Sequence, residues 1–165
     1  MVNQNGGKIA VYVCENSALK AAYNCGNREI LEAAEIFRLP CSGKIEIAMI
    51  LKTFEAGYSA VAVFGCPEDN CKFLSGNLRA RKRTEAAKRS LAEAGLDPEL
   101  LKIDFISSMD SHKFEKTLRE MGEKSGLWAP ADAESSAGPK DPASSKNPAG
   151  GAANAPAGPG KGDKA

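Results

Sequence analysis

The sequence predicts an α/β fold: a small doubly wound, mainly parallel four-stranded sheet with flanking helices, followed by a disordered C-terminal tail. Two observations lead there. Short β-branched or alternating apolar runs occur four times, separated by segments of helical pattern, and that alternation implies parallel strands joined by right-handed helical crossovers. Residues 129–165 contain no Phe, Tyr, Trp, Leu, Ile, Val or Met, and Ala, Gly and Pro fill 23 of the 37 positions. Such a stretch buries too little apolar surface to offset the cost of ordering its backbone. The domain is therefore expected to occupy residues 1–128, enough chain for one core without staples.

Residues 8–13, K-I-A-V-Y-V, read as a buried strand. Residues 16–24 read as a helix that stops at Cys25-Gly26, with Gly26 suited to a C-cap. Residues 28–39 begin with helical character, but a strand ending in I-F-R-L before Pro40 is the better tertiary fit. After Ser42-Gly43, the spacing of Ile45, Met49, Ile50 and Phe54 predicts an amphipathic helix closed by Gly57. S-A-V-A-V-F-G at 59–65 is the clearest strand in the chain. A loop over 66–76 leads into a long helix from about Asn77 to Ala94, with Gly95 as its stop. Residues 101–107 alternate as a last strand, and Ser111 is placed to cap a final helix reaching about Lys124.

Several function classes drop out early. No run of 18 or more apolar residues occurs, so no direct membrane insertion is expected. Met1 to Lys8 is polar and lacks the apolar centre of a secretory signal, which predicts a cytoplasmic protein. The one histidine, His112, excludes zinc sites built on several imidazoles. A net charge of +1 without interleaved aromatic residues speaks against nucleic acid. Neither a dinucleotide fingerprint nor a phosphate-binding loop is present. Five cysteines without an export signal argue against a disulfide framework.

The cysteines have a pattern of their own. Cys14 follows the first strand, Cys41 the second, and Cys66 the third, with Cys71 five residues further along the same loop. Three strands thus deliver thiols to the carboxyl edge of a parallel sheet, where open α/β folds assemble their sites. Gly43, Gly65 and Gly76 lie beside them, where close backbone approach and positive φ are useful. Cys25 sits apart at a helix end and reads as a buried apolar residue. The four clustered thiols suit a metal centre. Their spacings contain no C-x2-C knuckle of the structural zinc type, and fit an iron–sulfur cluster gathered from distant loops at least as well. Spacing leaves that choice open.

Taken together, Cys14, the Pro40-Cys41-Ser42-Gly43 turn, and Gly65-Cys66-x4-Cys71 followed by Gly76-Asn77 and an Arg-rich helix resemble the methyl-viologen-reducing hydrogenase delta-subunit family. The resemblance covers about residues 8–124. It implies a 2Fe-2S cluster on Cys14, Cys41, Cys66 and Cys71. It also implies a role as electron conduit from hydrogenase or formate dehydrogenase subunits into the flavin-containing A subunit of heterodisulfide reductase. Such a protein works inside an oxidoreductase complex and is not catalytic alone. This chain departs from the family where Ser17 stands in place of a second cysteine, and where P-E-D-N and Lys72 replace common histidine positions.

Two rival readings use the same thiols: a zinc-binding structural adaptor, and a thiol-redox protein using Cys66 and Cys71 as a reversible pair. Arg79, Arg81, Lys82, Arg83, Lys88 and Arg89 make the start of the long helix basic, either as a docking patch or charge compensation, or as a solvated face. His112 is expected to face solvent. Trp128 closes the globular part, placed to pack back on it or to meet a partner.

Overall fold

Parallel strands need crossovers, and the spacing of the apolar runs leaves room for them. The computed structural model describes residues 7–128; the tail read at 129–165 lies outside the described residues. Strands β1 (Ile9–Cys14), β2 (Ala34–Leu39), β3 (Ala60–Gly65) and β4 (Leu101–Phe105) form one sheet in the order β2-β1-β3-β4. Every pairing is parallel. The central strands β1 and β3 are buried along their whole length, which is why they read as unbroken apolar runs. The edge strands β2 and β4 are partly exposed and carry charged residues among apolar ones.

Five helices cover the sheet: α1 (Ala18–Tyr23), α2 (Arg28–Ala33), α3 (Ile47–Glu55), α4 (Gly76–Glu93) and α5 (Ser111–Lys124). Ile9, Val11, Val13, Ala62 and Phe64 pack against Leu19 of α1 and Phe114, Leu118 and Met121 of α5. On the other face, Ala10, Tyr12, Val61 and Val63 pack against Ile50 of α3 and Ala80, Ala87 and Leu91 of α4. The sheet is doubly wound, as its sequence predicts. From β1 the chain moves toward one edge and from β3 toward the other, so the gap between their carboxyl ends is the topological switch point.

Some boundaries differ from the sequence reading. Residues 28–39 hold both elements in succession, α2 then β2, with the Asn27 side chain accepting the Ile30 N–H at 3.3 Å. Helix α1 ends at Tyr23 with Asn24 as its C-cap, and Gly26 is not in the left-handed region where a glycine C-cap would sit. Gly57 and Gly95 do adopt it, at φ 89° and 78°. Ser111 is the first residue of α5 rather than its cap; Asp110 takes the cap position, and its carboxylate accepts the Ser107 N–H at 2.8 Å. A 3₁₀ turn over Ser42–Lys44 delays α3 until Ile47, and β4 ends two residues early, at Phe105.

Trp128 packs back onto the domain. Its indole N–H donates to the Arg119 carbonyl at 2.9 Å, and the ring lies on Gly122 in the last turn of α5. Glycine inside a helix costs about 1 kcal/mol relative to alanine, and here the ring occupies the volume a Cβ would need. Gly122→Ala is expected to destabilise the fold by about 1–3 kcal/mol through overpacking, despite the better helix former. The same variant should red-shift the emission of Trp128, the chain's one tryptophan. A stable variant with unshifted fluorescence would contradict this packing.

Candidate metal centre

Strands in a parallel sheet that share register end at one level. Cys14 is the last residue of β1, paired across from Leu39 of β2, and Cys66 follows Gly65 at the end of β3. Cys41 comes two residues after β2, and Cys71 lies in the loop before α4. These four side chains form a buried cluster of their own, separate from the two apolar cores. All are free thiols. Cys14 Sγ and Cys66 Sγ are 3.5 Å apart across the switch point, while Cys41 and Cys71 both lie against Gly76. The thiols therefore stand as two pairs. Among the described residues no three His, Cys, Asp or Glu side chains converge as a single bound ion requires. Cys25 belongs to the apolar core beside Ile30, as read from the sequence.

Two glycines make the second pair possible. A Cβ on Gly76, the first residue of α4, would collide with Cys41 Sγ and stand 3.3 Å from Cys71 Sγ. A Cβ on Gly43 would lie 2.7 Å from the Gly76 Cα. The turn after β2 and the start of α4 thus meet backbone to backbone. Close approach is what Gly43, Gly65 and Gly76 provide; none has positive φ, contrary to the second use expected of them. Arg83 holds the same turn by donating to the Gly43 and Ile45 carbonyls at 2.8 and 2.9 Å. Asn77 ties down the far side, donating to the carbonyls of Cys66 and Pro67 at 3.3 and 3.0 Å.

Burial and hydrogen bonding act on the thiols in opposite directions. Burial pushes Cys41 up, with only partial relief from the Gly43 N–H, and the neighbouring Cys71 and Cys14 add to the rise. Burial also pushes Cys66 up, against the Ser17 hydroxyl that donates to its sulfur at 3.4 Å. Cys71 is buried as well, yet the N–H groups of Asn77, Phe73 and Gly76 outweigh that and hold it below the ordinary thiol range. Those N–H groups belong to the turn into α4 and its first residues, where unsatisfied donors favour an anion. Buried thiols supplied with N–H and O–H donors fit a group bound through thiolates.

Ser17 and Asn77 were legible only as motif positions; that both are hydrogen-bond donors here depends on contacts across 49 and 10–11 residues of chain. The basic stretch divides. Arg81 pairs with Glu68, Lys88 with Glu99 at 3.1 Å, and Arg83 is spent on backbone carbonyls. Arg79, Lys82 and Arg89 are exposed, as is His112. Among the described residues no helix is long and apolar enough to cross a membrane.

Comparison with known proteins finds relatives across most of this domain. The family model of the methyl-viologen-reducing hydrogenase delta subunit matches residues 9–126. The iron-sulfur D subunit of the vhu F420-non-reducing hydrogenase of Methanopyrus kandleri is 35% identical over 124 residues, covering 74% of this chain and 94% of the relative. Its counterpart in Methanococcus maripaludis is 33% identical over 118 residues, 70% of this chain and 88% of the relative. A third match lies inside a much larger protein. The A subunit of the ferredoxin:CoB-CoM heterodisulfide reductase of Methanosarcina mazei is 34% identical over 85 residues, 52% of this chain and 11% of the relative.

The glycine contact generates a paired test. Gly76→Ala is expected to cost about 1–3 kcal/mol in urea unfolding, because the clash with Cys41 exceeds the gain in helix propensity of about 1 kcal/mol. Gly26→Ala, with nothing within 4 Å of the added carbon, should stay within about 0.5 kcal/mol of the parent. Equal effects at the two positions would mean that Gly76 has no special place in the centre.

Proposed function

The chain belongs to the methyl-viologen-reducing hydrogenase delta-subunit family, and on that premise we propose that it is an electron-transfer protein carrying a 2Fe-2S cluster on Cys14, Cys41, Cys66 and Cys71. The observation that carries the reading is the arrangement of four buried thiols as two close pairs at the switch point. A 2Fe-2S cluster takes four cysteines, two on each iron. A structural zinc needs four donors around one point, so the paired arrangement favours two irons over the zinc adaptor. A dithiol enzyme would need Cys66 beside Cys71, whereas the close partners are Cys14 with Cys66 and Cys41 with Cys71. Relatives named as iron-sulfur subunits support the same choice.

The cluster would supply reversible one-electron chemistry. The chain's own contribution is to hold four thiolates, to stabilise their charge and to tune the potential by burial and hydrogen bonding. The N–H groups of Gly43, Phe73, Gly76 and Asn77 and the hydroxyl of Ser17 are the donors in place for this. Clefts flank the thiols on two sides, one reaching Cys41 and the other Cys66 and Cys71. A relay needs two such approaches. The electron would enter from a hydrogenase or formate dehydrogenase-type donor and leave to the flavin-containing A subunit of a heterodisulfide reductase-like complex. The similar stretch inside the Methanosarcina mazei reductase chain supports that acceptor, since there the two modules share one polypeptide.

Anaerobically purified protein should contain two irons and two acid-labile sulfides per chain, absorb in the visible, and give a paramagnetic signal on one-electron reduction. Replacing any one of Cys14, Cys41, Cys66 or Cys71 with Ser should abolish or destabilise the absorbing species. Cys25→Ala should leave it in place. One zinc, no sulfide and no colour would overturn the proposal, as would unchanged spectra in both the Cys66 and Cys71 variants.

A further inference from the structure

Beside Cys71 the chain does something that its own fold does not require. Leu74 is 90% exposed and holds φ 62°, a left-handed conformation that costs a bulky residue of order 1–3 kcal/mol. Phe73 is 55% exposed, and Leu78, one turn further on, 39%. Single exposed apolar residues need no explanation, but three within six positions at a site's rim do. Phe73 also lines a cleft of about 290 Å³ that reaches Cys41.

The charge around this knob is lopsided. Lys44, Arg79 and Arg83 line the same cleft against one carboxylate, Glu46. Exposed Lys82 lies nearby in the chain. Arg83 is engaged by backbone carbonyls and Arg81 by Glu68; Lys44, Arg79 and Lys82 have no ion pair among the described residues. The opposite cleft, at Cys66 and Cys71, sets one cation, Lys72, against one carboxylate, Asp69, among neutral polar residues such as Asn16, Asn70, Ser107 and Ser108. The two approaches to the thiols therefore differ in chemistry.

We propose that the Phe73–Leu74–Leu78 knob and its ring of unpaired cations dock a partner protein whose surface sets carboxylates around an apolar recess, at the Cys41 side of the centre. The proposal rests on the electron-transfer reading and specifies one of its two partner faces. Charge complementarity selects this occupant. A second copy meeting the same patch about a two-fold axis would set cations against cations. Residues 129–165 offer no large apolar side chain and balance four lysines with four acids. A small apolar contact inside a charged rim suits a transient electron-transfer encounter, steered by its field and weakened by salt.

The test uses the full chain, with the reductase flavoprotein and the hydrogenase of the same organism as separate probes. Leu74→Asn removes the apolar contact and places in the left-handed region a residue that tolerates it, so the fold should be no less stable. Arg79→Glu reverses one free cation. Each variant should weaken binding to at least one probe by about tenfold, and Arg79→Glu should also flatten the salt dependence. Asn70→Asp, on the opposite cleft, serves as the comparison for that partner. Unchanged affinity for both probes overturns the proposal, as does a dimer of this chain that Leu74→Asn disperses. Colour and sulfide content are read on the same samples. A colourless protein that still loses affinity defeats the electron-transfer reading, and a coloured protein with unaltered affinity defeats the docking proposal.

Discussion

The centre depends on a contact between two backbones. Cys41 arrives from the end of β2 and Cys71 from the loop before α4, segments with no sheet pairing between them. They come together because the turn at Gly43 rests directly on Gly76, with no side chain between. A Cβ at Gly76 would collide with Cys41 Sγ, and one at Gly43 would collide with the Gly76 backbone. Arg83 and Asn77 brace the contact from either side through main-chain carbonyls. The N–H donors that face Cys41 and Cys71, at Gly43, Phe73, Gly76 and Asn77, lie in the same two segments. Packing, ligand spacing and electrostatics thus follow from one steric condition.

The thiols also show how burial and hydrogen bonding trade against each other. Four cysteines almost without solvent contact would resist ionisation if nothing else acted. Three N–H groups at the turn into α4 reverse that at Cys71, whereas the Gly43 N–H only eases it at Cys41, and the Ser17 hydroxyl and Lys72 N–H only ease it at Cys66. The asymmetry follows from position. Cys71 lies immediately before the helix whose first N–H groups have no intrahelical partner, whereas Cys41 and Cys66 have fewer donors in reach.

Charge on α4 is divided by the same geometry. Arg83 at the Cys41 turn and Arg81 at the loop from β3 are drawn into structural contacts, while Arg79 and Lys82 have no ion pair among the described residues. Exposed pairs such as Lys88 with Glu99 contribute little to stability. The free cations matter instead for encounter, since they lie beside exposed apolar residues in a loop held in costly backbone conformations at Asp69 and Leu74.

Much of this was legible in the chain itself. Alternating runs determined four strands and their crossovers, because a buried parallel strand must be apolar along its length. The position of each cysteine relative to its strand placed three thiol-bearing loops on one edge. Boundaries were less legible where two elements abut: α2 and β2 share residues 28–39 without a connecting loop, so neither periodicity completes itself. Gly26 and Ser111 carried the right residue types for caps, but the chain turned elsewhere. What the tertiary structure alone decided was the partner of each thiol. Cys14 meets Cys66 because β1 and β3 are neighbours in the order β2-β1-β3-β4, and Cys41 meets Cys71 because Gly43 touches Gly76. Sequence patterns reach across a few residues, whereas these pairs join segments up to 52 positions apart. Such pairs are settled only when the whole sheet closes.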